Sequence, residues 1–431
     1  ALSELPHQKW MLVFMGDDRP RTAVNVIHVS MVARLLSDVL DSCNAIDGSK
    51  VAEWSHKWLT LSQATAYSPT SSLLQSRAFI TLGIISRPPV TDSAVHNLVR
   101  SLLCSLNDSV SQGEMDTPVA IISCLSNMCG QLEASSSYRN HLVWLAIAIL
   151  SIGEKELFSP SLNLLKVSLT SLSYHGALEG NSIGKFLLEK RDFAQADWSE
   201  WEQLVKLNFS ESFSFAFSAC LMPGVTHGAL KASTLELLVL LVDISTEQSM
   251  SEDLIGYFAI LGGSLSPEEF SQLRQQVSSL VPNAGSSFIF NHSLFTQKST
   301  PLLFFAMLGA MLYETTSDQQ LQTLFEFAKE AIEYLPGEFE ESTGLLIPKL
   351  NEILAGSQNQ VTVNASLALL QVMLEHQTDA IHEASLPESQ LALHNFAGLP
   401  AYASFRNLSL SYKLSVCKLC CQIFGKLIDS P

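Results

Sequence analysis

The sequence predicts an all-α protein, an α-solenoid of stacked helix pairs. Three observations lead there: apolar residues recur at helical spacing almost everywhere, helix starts carry capping chemistry, and no two alternating segments are available to pair as a sheet. Of the 431 residues 47% are apolar and only 16% charged, which supplies a large core and excludes a disordered chain, collagen and coiled coil.

Taken in chain order, the elements announce themselves by local chemistry. Thr117-Pro118, Ser159-Pro160 and Thr300-Pro301 each place a hydroxyl before a proline, the form of a cap followed by the first helical residue, and each opens an apolar run. The runs His141 to Ile152, Leu235 to Ile244 and Pro301 to Tyr313 suit buried core helices. At about 10 to 13 residues they fall short of the roughly 18 to 20 that a membrane span needs. Phe213, Phe215 and Phe217 alternate with Ser and Ala as in a strand, but without a second strand the segment is read as a Phe-rich helix.

Ser266-Pro267-Glu268-Glu269 supplies a cap, an N1 proline and a glutamate placed to complete a capping box. Leu321, Leu324, Phe325, Ala328, Ile332 and Leu335 share one helical face, with Gln322, Thr323, Glu326, Lys329, Glu330 and Glu333 opposite. Pro336-Gly337 ends that helix. Val416, Leu419 and Ile423 carry helical spacing close to the end of the sequence.

Counted this way the chain holds roughly 18 to 20 helices of about 12 to 20 residues, joined by short turns such as Arg87-Pro88-Pro89. A single core stops growing near about 250 to 300 residues. Stacked pairs of about 40 to 47 residues bury their faces against neighbours instead, giving about nine or ten repeats of HEAT or armadillo type. The expected division is residues 1–280 and 301–431 as helical repeats, with 281–300 a short loop between them.

With 42 acidic and 25 basic residues the net charge is −17, which repels phosphate and argues against nucleic acid or anionic lipid as partner. The densest basic spot, Lys185, Lys190 and Arg191, reads as a solvated face. The 8 cysteines lack the spacing of a disulfide-stapled module and suit a reducing, cytoplasmic setting. Trp10 to Met15 is too short for a signal peptide and is followed by Asp17 and Asp18. Ala1 is no initiator methionine, so the expectation is a piece of a longer chain.

Few residues offer chemistry. Gly180-Asn181-Ser182-Ile183-Gly184 fits G-x-S-x-G, but that motif activates serine only on a sharp strand-to-helix turn, and Leu172 to Glu179 do not read as a strand. Ser182 is expected to cap the helix carrying Phe186 and Leu187. Gly184-Lys185 lacks the hydroxyl and glycine spacing of a phosphate-binding loop, and Gly262-Gly263 lacks a dinucleotide fingerprint.

Cys417, Cys420 and Cys421 contain one C-x-x-C without a second ligand pair, so buried helix thiols are expected, as for Cys124 and Cys129. His376 and His382 have no flanking ligand pattern and are given surface or cap roles. The sequons at Asn107, Asn208, Asn291, Asn364 and Asn407 carry no weight in a cytoplasmic chain. Glu338, Glu340 and Glu341 are read as complementing a helix dipole. No catalytic residue, cofactor or metal is expected.

Several segments resemble the C-terminal helical-repeat region of neurofibromin and its Ira-type relatives, the large GTPase-activating proteins for Ras. Residues Leu207 to Ala216 match the family pattern L-N-F-x-x-x-F-x-F-A and are followed by Leu221, Gly224 and His227. Trp54, Trp58, Tyr67, Pro69, Arg77, Ala78, Gly83 and Ser86 follow the family's order, as do Trp144, Ala146, Ala148 and Leu150, with Leu157 and Ser159 beyond. Asn25, Ile27 and His28 in Arg21 to Ser30, the helices from Pro301 to Leu354, and Phe396-Ala397-Gly398 extend the resemblance over nearly the whole chain.

The resemblance implies a non-catalytic scaffold. The Ras-stimulating domain with its arginine finger and the lipid-binding modules have no counterpart here, so a Ras-like GTPase would be reached only through the rest of the parent. The implied partners are other parts of that parent and a second protomer, in the cytoplasm, with any membrane association supplied by other domains. The basic insert that carries a nuclear-import signal in animal neurofibromin is missing at 281–300, which fits the Ira-type branch better. Two alternatives stand beside this reading: an unrelated HEAT or armadillo adaptor binding a peptide or protein, with Phe209 to Phe217 as its surface, and a hydrolase centred on Ser182.

Overall fold

The computed structural model describes residues 24–44, 48–68, 71–86, 90–191, 194–210, 213–247, 254–280, 299–315, 317–334, 343–357, 359–376 and 408–429. Among them are 18 helices and no strand, so the protein is all-α as its periodicity predicts. Numbered in chain order they are α1 (Val24–Asn44), α2 (Gly48–Ala66), α3 (Ser72–Ile85), α4 (Asp92–Gln112), α5 (Asp116–Cys129), α6 (Tyr138–Leu150), α7 (Lys155–Tyr174), α8 (Ile183–Glu189) and α9 (Gln195–Val205). There follow α10 (Phe213–Thr226), α11 (Gly228–Glu247), α12 (Leu254–Leu261), α13 (Pro267–Leu280), α14 (Ser299–Glu314), α15 (Asp318–Tyr334), α16 (Thr343–Gly356), α17 (Gln360–His376) and α18 (Leu410–Asp429).

The described residues fall into two compact units, one drawn from Ala1–Ala177, Phe193–Trp198 and Ser409–Pro431, the other from Leu178–Asp192 and Ser199–Leu408. The expected loop at 281–300 lies almost wholly outside the described residues.

In the first unit α1, α3, α5 and α7 touch in succession, while α2, α4 and α6 pack on their sequence neighbours in a second row. Contact between helices two apart in sequence is what stacked pairs produce. A β-carbon on Gly83 would stand 2.7 Å from the Cα of Cys124, so α3 meets α5 at a distance that only glycine permits. The expected apolar run in α6 is buried along Leu142 to Leu150, and Trp144 meets Trp198 at 5.2 Å between ring centroids. The last helix, α18, also belongs here. It lies against α4 and α6, its Phe424 meets Trp198, and Lys413 pairs with Glu154 at 3.0 Å.

The second unit repeats the scheme, with α10, α12, α14 and α16 touching in succession and α11, α13, α15 and α17 beside them. A β-carbon on Gly256 would stand 2.6 Å from the carbonyl carbon of Ser214, so α10 and α12 cross backbone to backbone. Arg274 on α13 grips both carboxylate oxygens of Glu330 on α15 at 2.8 and 2.7 Å. Asp318 at the start of α15 accepts from Asn359 and from Thr362, tying α15 to the start of α17.

Most local expectations are met. Ser266 and Glu269 exchange both bonds of the capping box, at 3.3 and 3.0 Å, with Pro267 as the first helical residue. Phe213, Phe215 and Phe217 lie in a helix. Three expectations need correction. Ser159-Pro160 does not open a helix, because Glu154 in extended backbone precedes α7 and Pro160 sits inside it, where Leu157 and Phe158 are already buried. Thr117 and Thr300 likewise stand one residue inside α5 and α14, after Asp116 and Ser299. Thr323, assigned to the polar face of α15, is buried, because its hydroxyl donates to the Gln319 carbonyl and so needs no water.

Candidate functional site

Three places carry the residues on which a function could rest: the turn at Ser182, the Phe-rich segment from Phe209, and the cysteines of α18. Each is built by local sequence before any partner is considered.

Ser182 stands in extended backbone before α8, and its Oγ accepts from the Lys185 N–H at 3.1 Å. The hydroxyl therefore caps a helix as expected. Both motif glycines have structural reasons. Gly180 has φ +73°, left-handed backbone that disfavours a side chain, in the turn that follows α7. A β-carbon on Gly184 would stand 2.8 Å from Cβ and Cγ of Phe213, so this glycine lets α8 rest on α10.

The Phe-rich segment forms a ladder of rings. Trp201 stacks on Phe209 at 5.6 Å, Phe209 meets Phe213 at 5.8 Å, Phe213 meets Phe217 at 5.6 Å, and Phe217 reaches Tyr257 on α12 at 6.5 Å. Phe209 and Phe217 are fully buried and α10 is buried from Phe213 to Val225, so the rings face protein rather than solvent. This removes the observation on which an exposed aromatic docking surface would rest. Asn208 in the same pattern is exposed.

Cys417 and Cys420 are buried, while Cys421 is half-buried with Sγ 3.5 Å from the Leu103 carbonyl oxygen on α4. The hydrogen bond between Cys417 and Cys421 pushes the first thiol up and the second down, while burial raises Cys420. Cys124 is fully buried and its thiol is raised by desolvation. Cys129, also buried and raised, lies 3.3 Å from the Ser168 hydroxyl. No group of three His, Cys, Asp or Glu side chains is placed to hold a metal ion among the described residues.

The basic spot is not what its spacing suggested. Lys185 and Lys190 are exposed, but Arg191 is buried and pairs with Glu202 at 2.6 Å. An arginine within the fold needs a carboxylate, and a residue 11 positions away on α9 provides it.

A polar cluster that local spacing does not disclose joins α4 to the loop before α6. Ser136 donates to Asp92 at 2.6 Å, and His96 Nδ1 lies 2.9 Å from the Tyr138 hydroxyl. Burial, with the Asp92 charge second, raises the Tyr138 phenol. Beside them Arg139 is only 2% exposed, and its fork donates to the carbonyls of Leu132 and Glu133 and to the Ser171 carbonyl and hydroxyl. This cluster orders a loop and the end of α7. Its bonds between helices, Ser136 to Asp92, Tyr138 to His96 and Arg139 to Ser171, span 32 to 44 positions, so no motif could have gathered them.

Glu338, Glu340, Glu341, His382, Asn291, Asn407 and Phe396-Ala397-Gly398 lie outside the described residues. His376 is the last residue of α17. Among the described residues no helix is long and apolar enough to cross a membrane. The class defined by fold and geometry is thus all-α with stacked helices; no protein-family model matches the chain.

Proposed function

We propose that the chain is a non-catalytic helical-repeat scaffold segment of a neurofibromin-like Ras GTPase-activating protein. It serves dimer assembly and regulation of a catalytic domain located elsewhere in the parent, in the cytoplasm. One observation carries this reading. Of the residues that match the family pattern, Leu207, Phe209, Phe213, Phe215 and Ala216 are buried in the second unit, and only Asn208 is exposed. A pattern kept in place by packing is what a shared scaffold requires, whereas shared chemistry would require accessible groups.

The same holds for Trp144, Ala146 and Ala148, all buried, and for Gly83 against α5. Ser182 spends its acceptor on a helix cap, which supports a structural role over the hydrolase alternative.

The test has two arms. The purified chain, added to GTP-loaded Ras at enzyme-like concentration, is expected to leave the hydrolysis rate unchanged; acceleration sinks the proposal. Light scattering across a concentration series, with and without the remaining parent, is expected to show either self-association or capture by the parent. A chain that stays monomeric and ignores the parent ends the scaffold reading.

A further inference from the structure

Three guanidinium groups drawn into this fold are each met by acceptors of the chain itself. Arg139 donates to carbonyls and a hydroxyl, Arg191 pairs with Glu202, and Arg274 grips both oxygens of Glu330. Arg77 on α3 differs. Its Nε and Nη1 are closed off from solvent and have no hydrogen-bond partner among the described residues. Burial lowers its pKa, and no carboxylate among the described residues works against that. A charged donor shut away from water without an acceptor is costly in a folded protein, and the cost falls when a counter-ion is supplied.

We propose that Arg77 is a binding residue for the carboxylate of an aspartate or glutamate side chain carried by an apolar segment of a partner protein. The surroundings of the group fit that occupant. Leu73 and Leu74 stand four and three positions before Arg77, and Thr81 and Ile84 four and seven after it, which sets them all on its side of α3. Leu74 is 48% exposed. Leu73, Thr81, Ile84 and Arg77 itself are half-buried, so the guanidinium is reached from solvent across largely apolar surface.

Charge and geometry select a carboxylate over a phosphate. A carboxylate carries a single charge and spans two adjacent nitrogens of a guanidinium in one plane. Glu330 shows this pairing in the same chain, at 2.8 and 2.7 Å from Arg274. A phosphate monoester carries about two charges, of which one arginine offsets one, and the net charge of −17 repels the remainder. The residues one turn away along α3, Leu73, Leu74, Ile80 and Thr81, include no second cation. The proposal concerns a contact made by this chain itself and stands apart from the Ras reading.

The experiment titrates the full chain, carrying nitrogen-15 at the arginine Nε, with the peptide acetyl-Leu-Glu-Leu-amide and follows the Nε–H signals by NMR. The Arg77 signal is identified by its loss in Arg77→Lys. The peptide is expected to move it downfield saturably and to slow its exchange with solvent at least tenfold, while the Arg139 and Arg274 signals stay in place. Acetyl-Leu-Gln-Leu-amide is expected to bind at least tenfold more weakly, and inorganic phosphate more weakly than the Glu peptide. An Arg77 signal that does not move overturns the proposal, as does one that moves equally with both peptides, because the contact is then apolar only. Tighter binding of phosphate overturns it too, as does a signal already downfield and slowly exchanging in the free chain, because an acceptor within the chain then holds the group. A second variant, Arg77→Met, is expected to keep or raise the urea midpoint and to lose the response to the Glu peptide. A fall in that midpoint as large as the one for Arg139→Ala would mean that the fold itself pairs the guanidinium, and likewise overturns the proposal.

Discussion

Arg139 shows how much a single side chain can organise in a fold of this kind. Its guanidinium is desolvated, which lowers its pKa, and it has carbonyls and a hydroxyl as partners where a carboxylate is usual. Replacing it with alanine takes the donor from the Leu132 carbonyl and the Ser171 hydroxyl in the interior, while the Glu133 and Ser171 carbonyls still accept from the Ser136 and His175 N–H groups. We expect Arg139→Ala to lower stability by on the order of 3 kcal/mol, read as a fall in the urea midpoint. Arg139→Lys keeps the charge but loses the planar fork, and is expected to recover less than half of that. At Gly184 the opposite fault is expected. A methyl group placed 2.8 Å from Phe213 overpacks the site, so Gly184→Ala should cost about 1 to 3 kcal/mol, and Phe213→Leu in the same chain should relieve part of it. Ser182→Ala removes only a cap, about 1 kcal/mol, and a serine-directed fluorophosphonate should leave Ser182 unlabelled.

Thr91, Ser182 and Ser266 each begin a helix by accepting from a free backbone N–H, and in two helices a first-turn carboxylate is held by neighbouring donors. The Ser266 backbone N–H, and then its hydroxyl, hold the Glu269 carboxyl below the ordinary range. Asn359, followed by Thr362, does the same for Asp318. A carboxylate whose folded pKa is depressed binds its proton more weakly in the fold. Its contribution is complete above the unfolded value, about 4.3 for Glu and 3.9 for Asp, and is lost as pH falls through the folded value. Thermal melts between about pH 3 and pH 7 should therefore show an acid limb that Glu269→Gln and Asp318→Asn each flatten. Near neutral pH, Ser266→Ala should cost about 1 kcal/mol through the lost cap.

For the whole molecule, the assignment of α18 to the first unit has a direct consequence. Its Val416, Cys417, Cys420, Ile423 and Phe424 are buried, and its partners Leu103, Glu154 and Asp197 precede it by more than two hundred positions. A chain ended before Ser409 is expected to exchange faster in α4 and α6 while α14 to α17 keep their protection, as read by hydrogen exchange. Equal loosening in both sets would mean that α18 stabilises something other than the unit it touches. The proposed scaffold role belongs to this scale too, since it depends on surfaces and assembly rather than on any one side chain.

The sequence by itself determined the helices and many of their ends. The apolar side of α15, the Ser182 cap and the Ser266 box all arise from bonds and sterics within a few residues, so spacing and residue type suffice to specify them. The same local rules read the Phe-rich segment as helix once no partner strand was found. Tertiary structure alone decided where side chains of mixed character went. Arg191 reads as a surface cation until Glu202 is brought to it, and Arg139 has no local signature at all. Pro160 looks like a helix start until Leu157 and Phe158 are seen buried in the turn before it. These outcomes depend on which elements pack together, and packing is settled by the shapes of whole faces, which no short window of sequence contains.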